Sequence, residues 1–121
     1  MPSKSSSSVR VFYPRYSREE LIARLRERVR VLSEELPLVR AVLFGSWATG
    51  RATAFSDVDV LVVYSGPRRE DAVRLVRRVI GLRGIEPHVY PADDAELLAL
   101  TLGRMTSNGV DLLPVAKVPS D

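Results

Sequence analysis

The chain has 121 residues, of which 45% are hydrophobic and 27% are charged, with a formal net charge of +3 and no cysteine. This length suits one small domain, and the composition excludes global disorder, disulfide bonds and thiolate metal sites. No apolar run reaches the roughly 20 residues that span a bilayer, and we predict a cytoplasmic protein without a membrane segment or signal peptide. We expect one domain over residues 17–115, with a flexible N-terminal tail over residues 1–16 and a C-terminal tail over residues 116–121.

The first predicted helix follows a capping box. Ser17 and Glu20 have the spacing at which each side chain caps the backbone N–H of the other residue. Apolar residues then recur at helical spacing until Pro37, which predicts a helix over about Arg18–Glu35. The arginines of this helix spread around it, which indicates a solvated surface rather than a nucleic-acid groove, so direct nucleic-acid binding is not indicated.

Two apolar strands and a tight turn follow this helix. The first strand is predicted over Val39–Phe44 and stops at Gly45, a residue type that lets the backbone turn sharply and a ligand approach closely. A short helical turn over Ser46–Thr49 is then expected to end at Gly50. The second strand is predicted over Val58–Tyr64, so the turn lies between two strands of one sheet.

The second half of the domain repeats the alternation of helix and strand. A second helix is predicted from about Arg69 to Leu82 with Val73, Val76 and Ile80 facing inward, and a third strand over Ile85–Tyr90. A third helix opens after this strand and is expected to break near Gly103. The segment Val110–Val115 is either a last edge strand or an exposed strip that pairs with another chain. These elements predict an α/β (α+β) domain.

Two aspartates at the start of the second strand are the clearest chemical signal. Asp57 and Asp59 alternate with apolar residues, so both are expected on one face of the sheet. Such a pair suits Mg²⁺, which binds through one or two carboxylates together with substrate phosphates. Gly45 and Ser46 would then provide a phosphate cradle. Each half alone is weak evidence, because a strand with alternate aspartates is often a solvated edge, but the combination is far more specific.

The run GSWATG from Gly45 and the run SDVDVLV from Ser56 together resemble the signature of the polymerase-β-like nucleotidyltransferase superfamily, and in particular its minimal, single-domain, antitoxin-like branch. The resemblance implies a small mixed sheet of about four strands with helices packed on one side. It also implies that Gly45 and Ser46 contact a nucleoside triphosphate, with ATP as the first expectation. Asp57 and Asp59 would bind two Mg²⁺ ions as catalytic metal ligands.

The family also places a third acidic residue on a later strand, where it takes a proton from the attacking hydroxyl. In this chain Glu86 and His88 share one face of the third strand by alternation. Aligning the residues that follow the strand puts His88 at the acidic position, whereas the chemistry favours Glu86. We predict Glu86 as the third catalytic residue and keep His88 as the alternative.

The resemblance implies a metal-dependent enzyme that transfers a nucleoside monophosphate from the triphosphate to an acceptor. Minimal members are often encoded beside a small all-helical protein, so the predicted acceptor or neutralised partner is such a protein, as in a toxin–antitoxin pair. Pairing with a second copy of this chain is also conceivable. The alternative is a nucleotide-binding regulatory module of the same fold with little or no turnover. The ambiguous third carboxylate supports it, as does Thr49, where many members carry a basic residue.

Overall fold

The computed structural model describes residues 16–53 and 55–113, and within these residues it forms five helices and four strands. The elements in chain order are α1 (Arg18–Leu32), β1 (Leu38–Phe44), α2 (Ser46–Thr49), β2 (Val58–Tyr64), α3 (Ala72–Ile80), β3 (Ile85–Pro91), α4 (Ala92–Leu97), α5 (Ala99–Met105) and β4 (Val110–Asp111). No helix in these two ranges has the length and apolar content needed to cross a membrane.

Helix α1 begins at the predicted capping box. The Ser17 hydroxyl accepts a hydrogen bond from the Glu20 backbone N–H at 3.1 Å, and the Glu20 carboxylate accepts one from the Ser17 backbone N–H at 2.9 Å. These two bonds satisfy N–H groups that have no partner inside the helix. The buried stripe of α1 consists of Leu21, Ile22, Leu25, Val29 and Leu32.

The four strands form one mixed sheet in the order β3-β2-β1-β4. Strand β1 runs antiparallel to β2 and to β4, whereas β2 and β3 are parallel. A parallel neighbour needs a crossover connection, and α3 lies in that connection between β2 and β3. As a result β2 and β3 begin at the same end of the sheet.

One side of the sheet, which we call the covered face, packs against α1 and α3. Alternate residues of β1 and β2 point to this side, and the indole of Trp47 in α2 joins the same core. Burial of this continuous apolar surface is the main stabilising contribution in a domain of this size. The strand residues of the covered face are Ala41, Leu43, Val58, Val60, Val62, Tyr64 and Ile85.

The opposite side, which we call the acidic face, carries the intervening residues of the same strands, including Asp59. Its far end is closed by α4 and α5, where Leu102 is buried against β1 and β2. The end with Asp59 stays open to solvent, because Asp57 and Glu86 are exposed and Asp59 is only half-buried. The apolar residues packed with Leu102 are Val42, Leu61 and Val63.

The α/β (α+β) class and the four-stranded mixed sheet are therefore confirmed, and strand β2 has the predicted bounds. We predicted that helices pack on one side of the sheet, and α1 and α3 do so. The structure adds a smaller layer, made of α4 and α5, on the other face. This layer was not apparent in the sequence, because Leu97 and Leu100 are exposed and only Leu102 of these leucines is buried.

Several local predictions need correction, and the first is that α1 ends at Leu32 instead of about Glu35. Val73 is 43% exposed, because α3 begins at Ala72 and its buried stripe is centred on Leu75 and Val76. The third predicted helix is two helices that meet at Leu98, whereas Gly103 lies inside α5. The last strand, β4, is described only at Val110–Asp111. The predicted tails, apart from residue 16, and the end of the predicted last strand fall on residues 1–15 and 114–121, outside the described residues.

Candidate active site

The turn between β1 and α2 has a backbone conformation that favours glycine. Gly45 has φ +80° and ψ −155°, and Gly50 ends α2 in the left-handed region at φ +81°. Between them, Trp47 and Ala48 are buried and fix the turn to the core, while Ser46 remains half-exposed. The sequence thus folds locally into a rigid turn whose Ser46 hydroxyl lies at the surface.

This turn lies directly against Asp59. A Cβ atom placed on Gly45 would lie 2.5 Å from Asp59 Oδ2, closer than two such atoms can approach. The contact follows from the sheet register, in which Phe44 and Asp59 are opposite each other on β1 and β2. Glycine at position 45 is therefore required both by the backbone conformation and by the carboxylate beside it. The structure brings the predicted cradle and one predicted metal ligand together.

The carboxylates at this end of the sheet act on one another electrostatically. Burial raises the pKa of Asp59 above its ordinary value, and the negative charges of Asp57 and Glu86 act in the same direction. The nearby His88 side chain opposes this rise without cancelling it. Repulsion among three carboxylates is the condition under which a site gains most from a bound cation.

Glu86 and His88 are the two candidates for the third catalytic residue. Both lie near Asp59, at different positions along β3. Glu86 is the direct partner of Asp59 in the parallel β2–β3 ladder, whereas His88 is the partner of Leu61. Even so, the His88 imidazole leans back toward the acidic end, with its Nε2 atom 3.6 Å from Asp59 Oδ1. This distance is too long for a hydrogen bond, so the contact is electrostatic only.

The carboxylates of Asp57 and Asp59 are of the chemical type that a hard divalent cation accepts. Among residues 16–53 and 55–113, no three carboxylate, imidazole or thiol groups are already arranged around one point. Oxygen-rich sites of this kind hold Mg²⁺ through one or two carboxylates and complete its shell with water and phosphate oxygens. Asp57 and Asp59 would supply those carboxylates, and glycine at position 45 leaves room for the Asp59 carboxylate against the turn.

Arg18, which the sequence analysis did not select, supports the turn from α1. Its guanidinium donates hydrogen bonds to the backbone carbonyls of Trp47 at 3.2 Å and Ala48 at 2.9 Å. These bonds satisfy carbonyl groups at the end of the short helix α2, and they tie the cradle to the covered side of the domain. Spacing along the chain could not reveal this contact, because Arg18 lies 30 residues from Ala48.

Comparison with protein families gives a match over residues 22–108 to the family described as "Nucleotidyltransferase domain". The chain belongs to the nucleotidyltransferase domain family. The predicted resemblance to the minimal, polymerase-β-like nucleotidyltransferases is thereby confirmed. The matched range contains the Gly45 turn, Asp57, Asp59 and the whole of β3.

The fold of this nucleotidyltransferase domain also resembles a solved structure. The crystal structure of a proposed nucleotidyltransferase from Sulfolobus solfataricus, at 1.40 Å resolution, superposes with a TM-score of 0.58. The two chains share 23% sequence identity over 78% of this chain and 81% of the other. At this identity the likeness concerns the fold. The search of curated proteins gave no match.

The side chain of Thr49 lies against its own helical turn in this nucleotidyltransferase domain. The Thr49 hydroxyl lies 3.4 Å from the carbonyl oxygens of both Gly45 and Ser46, so it turns back onto its own helical turn. Thr49 therefore completes the turn and presents no positive charge to a phosphate. Any compensating charge has to come from a bound cation or from elsewhere in the protein.

Proposed function

We propose that this domain catalyses metal-dependent transfer of a nucleoside monophosphate from a nucleoside triphosphate, ATP in the first instance, to a hydroxyl acceptor. Membership of the nucleotidyltransferase family supports nucleotidyl transfer in general. The observation that carries the finer proposal is the contact between Gly45 and the carboxylate of Asp59. A glycine turn of this kind beside a paired acid suits a polyphosphate and a divalent cation together.

In this proposal each residue has a defined task. Ser46 binds the triphosphate through its hydroxyl, and Asp57 and Asp59 hold two Mg²⁺ ions. The ions would neutralise charge on the triphosphate and activate the attacking hydroxyl. Glu86, the ladder partner of Asp59, accepts the proton of the acceptor hydroxyl. The acceptor oxygen forms a bond to the α-phosphorus as the bond from that phosphorus to the oxygen bridging the α- and β-phosphates breaks, and pyrophosphate leaves in line.

The acceptor that we propose is a small all-helical protein, with this chain as the neutralising half of a toxin–antitoxin pair in the cytoplasm. Helices α4 and α5 support a protein acceptor, because Leu97 is 85% exposed and Leu100 is 80% exposed. Neighbouring exposed leucines are typical of surfaces that contact other proteins. A second copy of this chain is the other partner that such a surface would suit.

A labelling experiment tests the proposed activity. Purified protein is incubated with each α-³²P nucleoside triphosphate and Mg²⁺, with and without the protein encoded by the neighbouring gene. We expect label on that partner, and a fall of about 1,000-fold or more in Asp57→Asn and Asp59→Asn. Extra Mg²⁺ should not rescue the double variant. Asp93→Asn, which makes the same change at an exposed site in α4, serves as the control.

The outcomes separate the two readings of the site. Full activity in both aspartate variants would refute the assignment of Asp57 and Asp59. Binding of a triphosphate by the unaltered protein without any transfer would favour the regulatory module over the enzyme. Binding is measured by isothermal titration with a non-hydrolysable triphosphate analogue, so that a missing acceptor cannot hide it.

A further inference from the structure

Helices α4 and α5 present one exposed side, which we call the leucine face. Backbone N–H groups donate helical hydrogen bonds from Leu98 to Asp94 at 3.1 Å and from Leu102 to Leu98 at 2.9 Å, so helical spacing persists through the junction of the two helices. Residues three, four and seven apart therefore lie on one side, opposite the buried Leu102. The exposed residues of the leucine face are Asp93, Glu96, Leu97, Leu100, Gly103 and Arg104.

The charges of the leucine face are divided between its two ends. Glu96 comes four residues before Leu100 and Arg104 comes four residues after it. These two charges are about 12 Å apart along the helix axis, and neither forms an ion pair with any residue that the structure describes. A surface with opposite charges at its two ends fits a copy of itself that runs in the opposite direction. A purely acidic or purely basic partner would meet a like charge at one end.

Gly103 has no explanation within a single copy. It lies inside α5, where glycine is less favourable than every other residue except proline. A Cβ atom placed there would meet no described atom within 4 Å outside its own helical turn, so the packing of this chain does not require glycine. A glycine on an exposed helix face lets another backbone approach closely. This observation points to a partner and is independent of the charges.

A two-fold axis beside Leu100 brings these features together. When two copies run antiparallel about this axis, residues at equal distances from Leu100 lie at the same level. Glu96 of one copy is then level with Arg104 of the other, because each is four residues from Leu100. Leu97 is likewise level with Gly103, because each is three residues from Leu100. Opposite charges thus meet at both ends, and the 85% exposed side chain of Leu97 has room beside the glycine.

We propose that the leucine face binds a second copy of this chain in an antiparallel helix pair with two-fold symmetry. This inference goes beyond the proposed function, because α4 and α5 lie at the far end of the acidic face from Asp59. The proposed acceptor would then approach the open end with Asp59. A contact between single helices is smaller than a standard interface of about 800 Å² per partner, so we expect a weak dimer with a dissociation constant of about 10–100 µM.

Sedimentation velocity of the unaltered protein from about 1 to about 500 µM tests for this dimer. Glu96→Arg and Arg104→Glu should each raise the dissociation constant about tenfold or more, because each variant sets like charges against one another at both ends of the pair. An equal mixture of the two variants should form dimers again, since opposite charges then meet at both ends. Glu27→Arg makes the same change at an exposed site of α1 and should leave the dissociation constant unchanged.

Gly103→Gln tests the close approach of the two helices. It should raise the dissociation constant about tenfold or more, yet leave the dilute, monomeric protein at least as resistant to urea, because glutamine is the better helix former. A merely structural role of the glycine would not produce this combination. Leu97→Ala should also weaken the pair without changing the unfolding of the dilute protein.

A protein that stays monomeric at every concentration would overturn this inference, as would a dimer that none of these variants affects. Binding of the leucine face only to the protein encoded by the neighbouring gene would also overturn it. None of these results would touch the proposed nucleotidyl transfer, which is measured separately by labelling.

Discussion

The two faces of the sheet use the same three strands for opposite purposes. On the covered face, β1, β2 and β3 bury apolar side chains under α1 and α3. On the acidic face, the alternating positions carry a small apolar cluster at one end and carboxylates at the other. Because side chains alternate along a strand, Asp59 is flanked by the two core residues Val58 and Val60. The covered face thus supplies the rigidity that the acidic face needs to hold repelling charges.

The largest expected effect tests whether stability resides in the covered face. Leu25→Ala removes a fully buried side chain of α1 and should lower the free energy of unfolding by about 2–5 kcal/mol. Leu97→Ala, at an exposed site of α4, should change it by no more than about 0.5 kcal/mol. Urea denaturation followed by circular dichroism measures both, and equal losses would contradict this division between the faces.

Gly45→Ala tests the contact between the turn and the acidic face. The new Cβ should displace Asp59, and a shift of this size can lower activity about 100-fold. The strained backbone should also cost about 1–3 kcal/mol of stability. Both quantities are obtained from initial transfer rates and urea denaturation of the same preparation.

Gly50→Ala is the matched control for this variant. Gly50 has nearly the same φ, yet an added Cβ would meet no described atom within 4 Å. It should therefore lose about 1–2 kcal/mol through the backbone alone and keep its transfer rate. Equal loss of activity in the two variants would show that the turn conformation, and not the space beside Asp59, is what matters.

Two arginines of α1, Arg18 and Arg28, stabilise different parts of the protein, so variants of them separate an effect on the Gly45 turn from an effect on the core. Arg18 binds the carbonyls of Trp47 and Ala48, whereas Arg28 donates two hydrogen bonds to the carbonyl of Val79 in α3. Replacing either arginine by alanine should cost about 1–2 kcal/mol. Only Arg18→Ala should raise the KM for the triphosphate, because only Arg18 touches the turn. A similar rise in Arg28→Ala would remove this distinction.

The smallest expected effect is on how the stability depends on pH, and it has opposite signs at Asp59 and Asp71. Burial raises the pKa of Asp59, so the ionised carboxylate destabilises the fold above that pKa, and the penalty disappears as the pH falls below 3.8. Asp59→Asn should therefore be at least as stable as the unaltered protein at pH 7, with an advantage that shrinks on acidification. Urea denaturation between pH 7 and pH 3.5 measures the change.

Asp71 is the control of opposite sign. Its hydrogen bond with Arg69 at the start of α3 lowers the pKa of Asp71, so its ionised form stabilises the fold above pH 3.8. Asp71→Asn should lose stability at neutral pH, and the loss should fade as the pH drops through the lowered pKa. If both variants changed the free energy of unfolding at neutral pH in the same direction, the raised pKa of Asp59 would be contradicted.

The local pattern of the sequence predicted most of the secondary structure, because secondary structure depends largely on residues that are neighbours along the chain. Capping by Ser17, the bounds of β2 and the end of α2 at Gly50 all follow from residue types within a few positions. The predicted start of the second helix was wrong. Helix α3 begins only at Ala72, and before it the Arg69 backbone N–H donates to the Tyr64 hydroxyl and the Arg69 side chain bonds Asp71.

The sequence suggested candidate residues for the site, but it could not give their geometry. Alternation placed Asp57 with Asp59 and Glu86 with His88, and the parallel register that aligns Glu86 with Asp59 is a long-range property. The 3.6 Å approach of the His88 imidazole depends on its packing against Phe44. The roles of the predicted site residues, the cation and the acceptor stay predictions until the experiments above are done.

The parallel pairing of β2 and β3 affects the order in which the parts of the candidate site come together during folding. The antiparallel β1–β2 pair can form from neighbouring parts of the chain, whereas β3 joins only after the crossover through α3. A growing polypeptide that has already made Asp57 and Asp59 still lacks Glu86 and His88. The complete site of the proposed function should therefore form late in synthesis and folding.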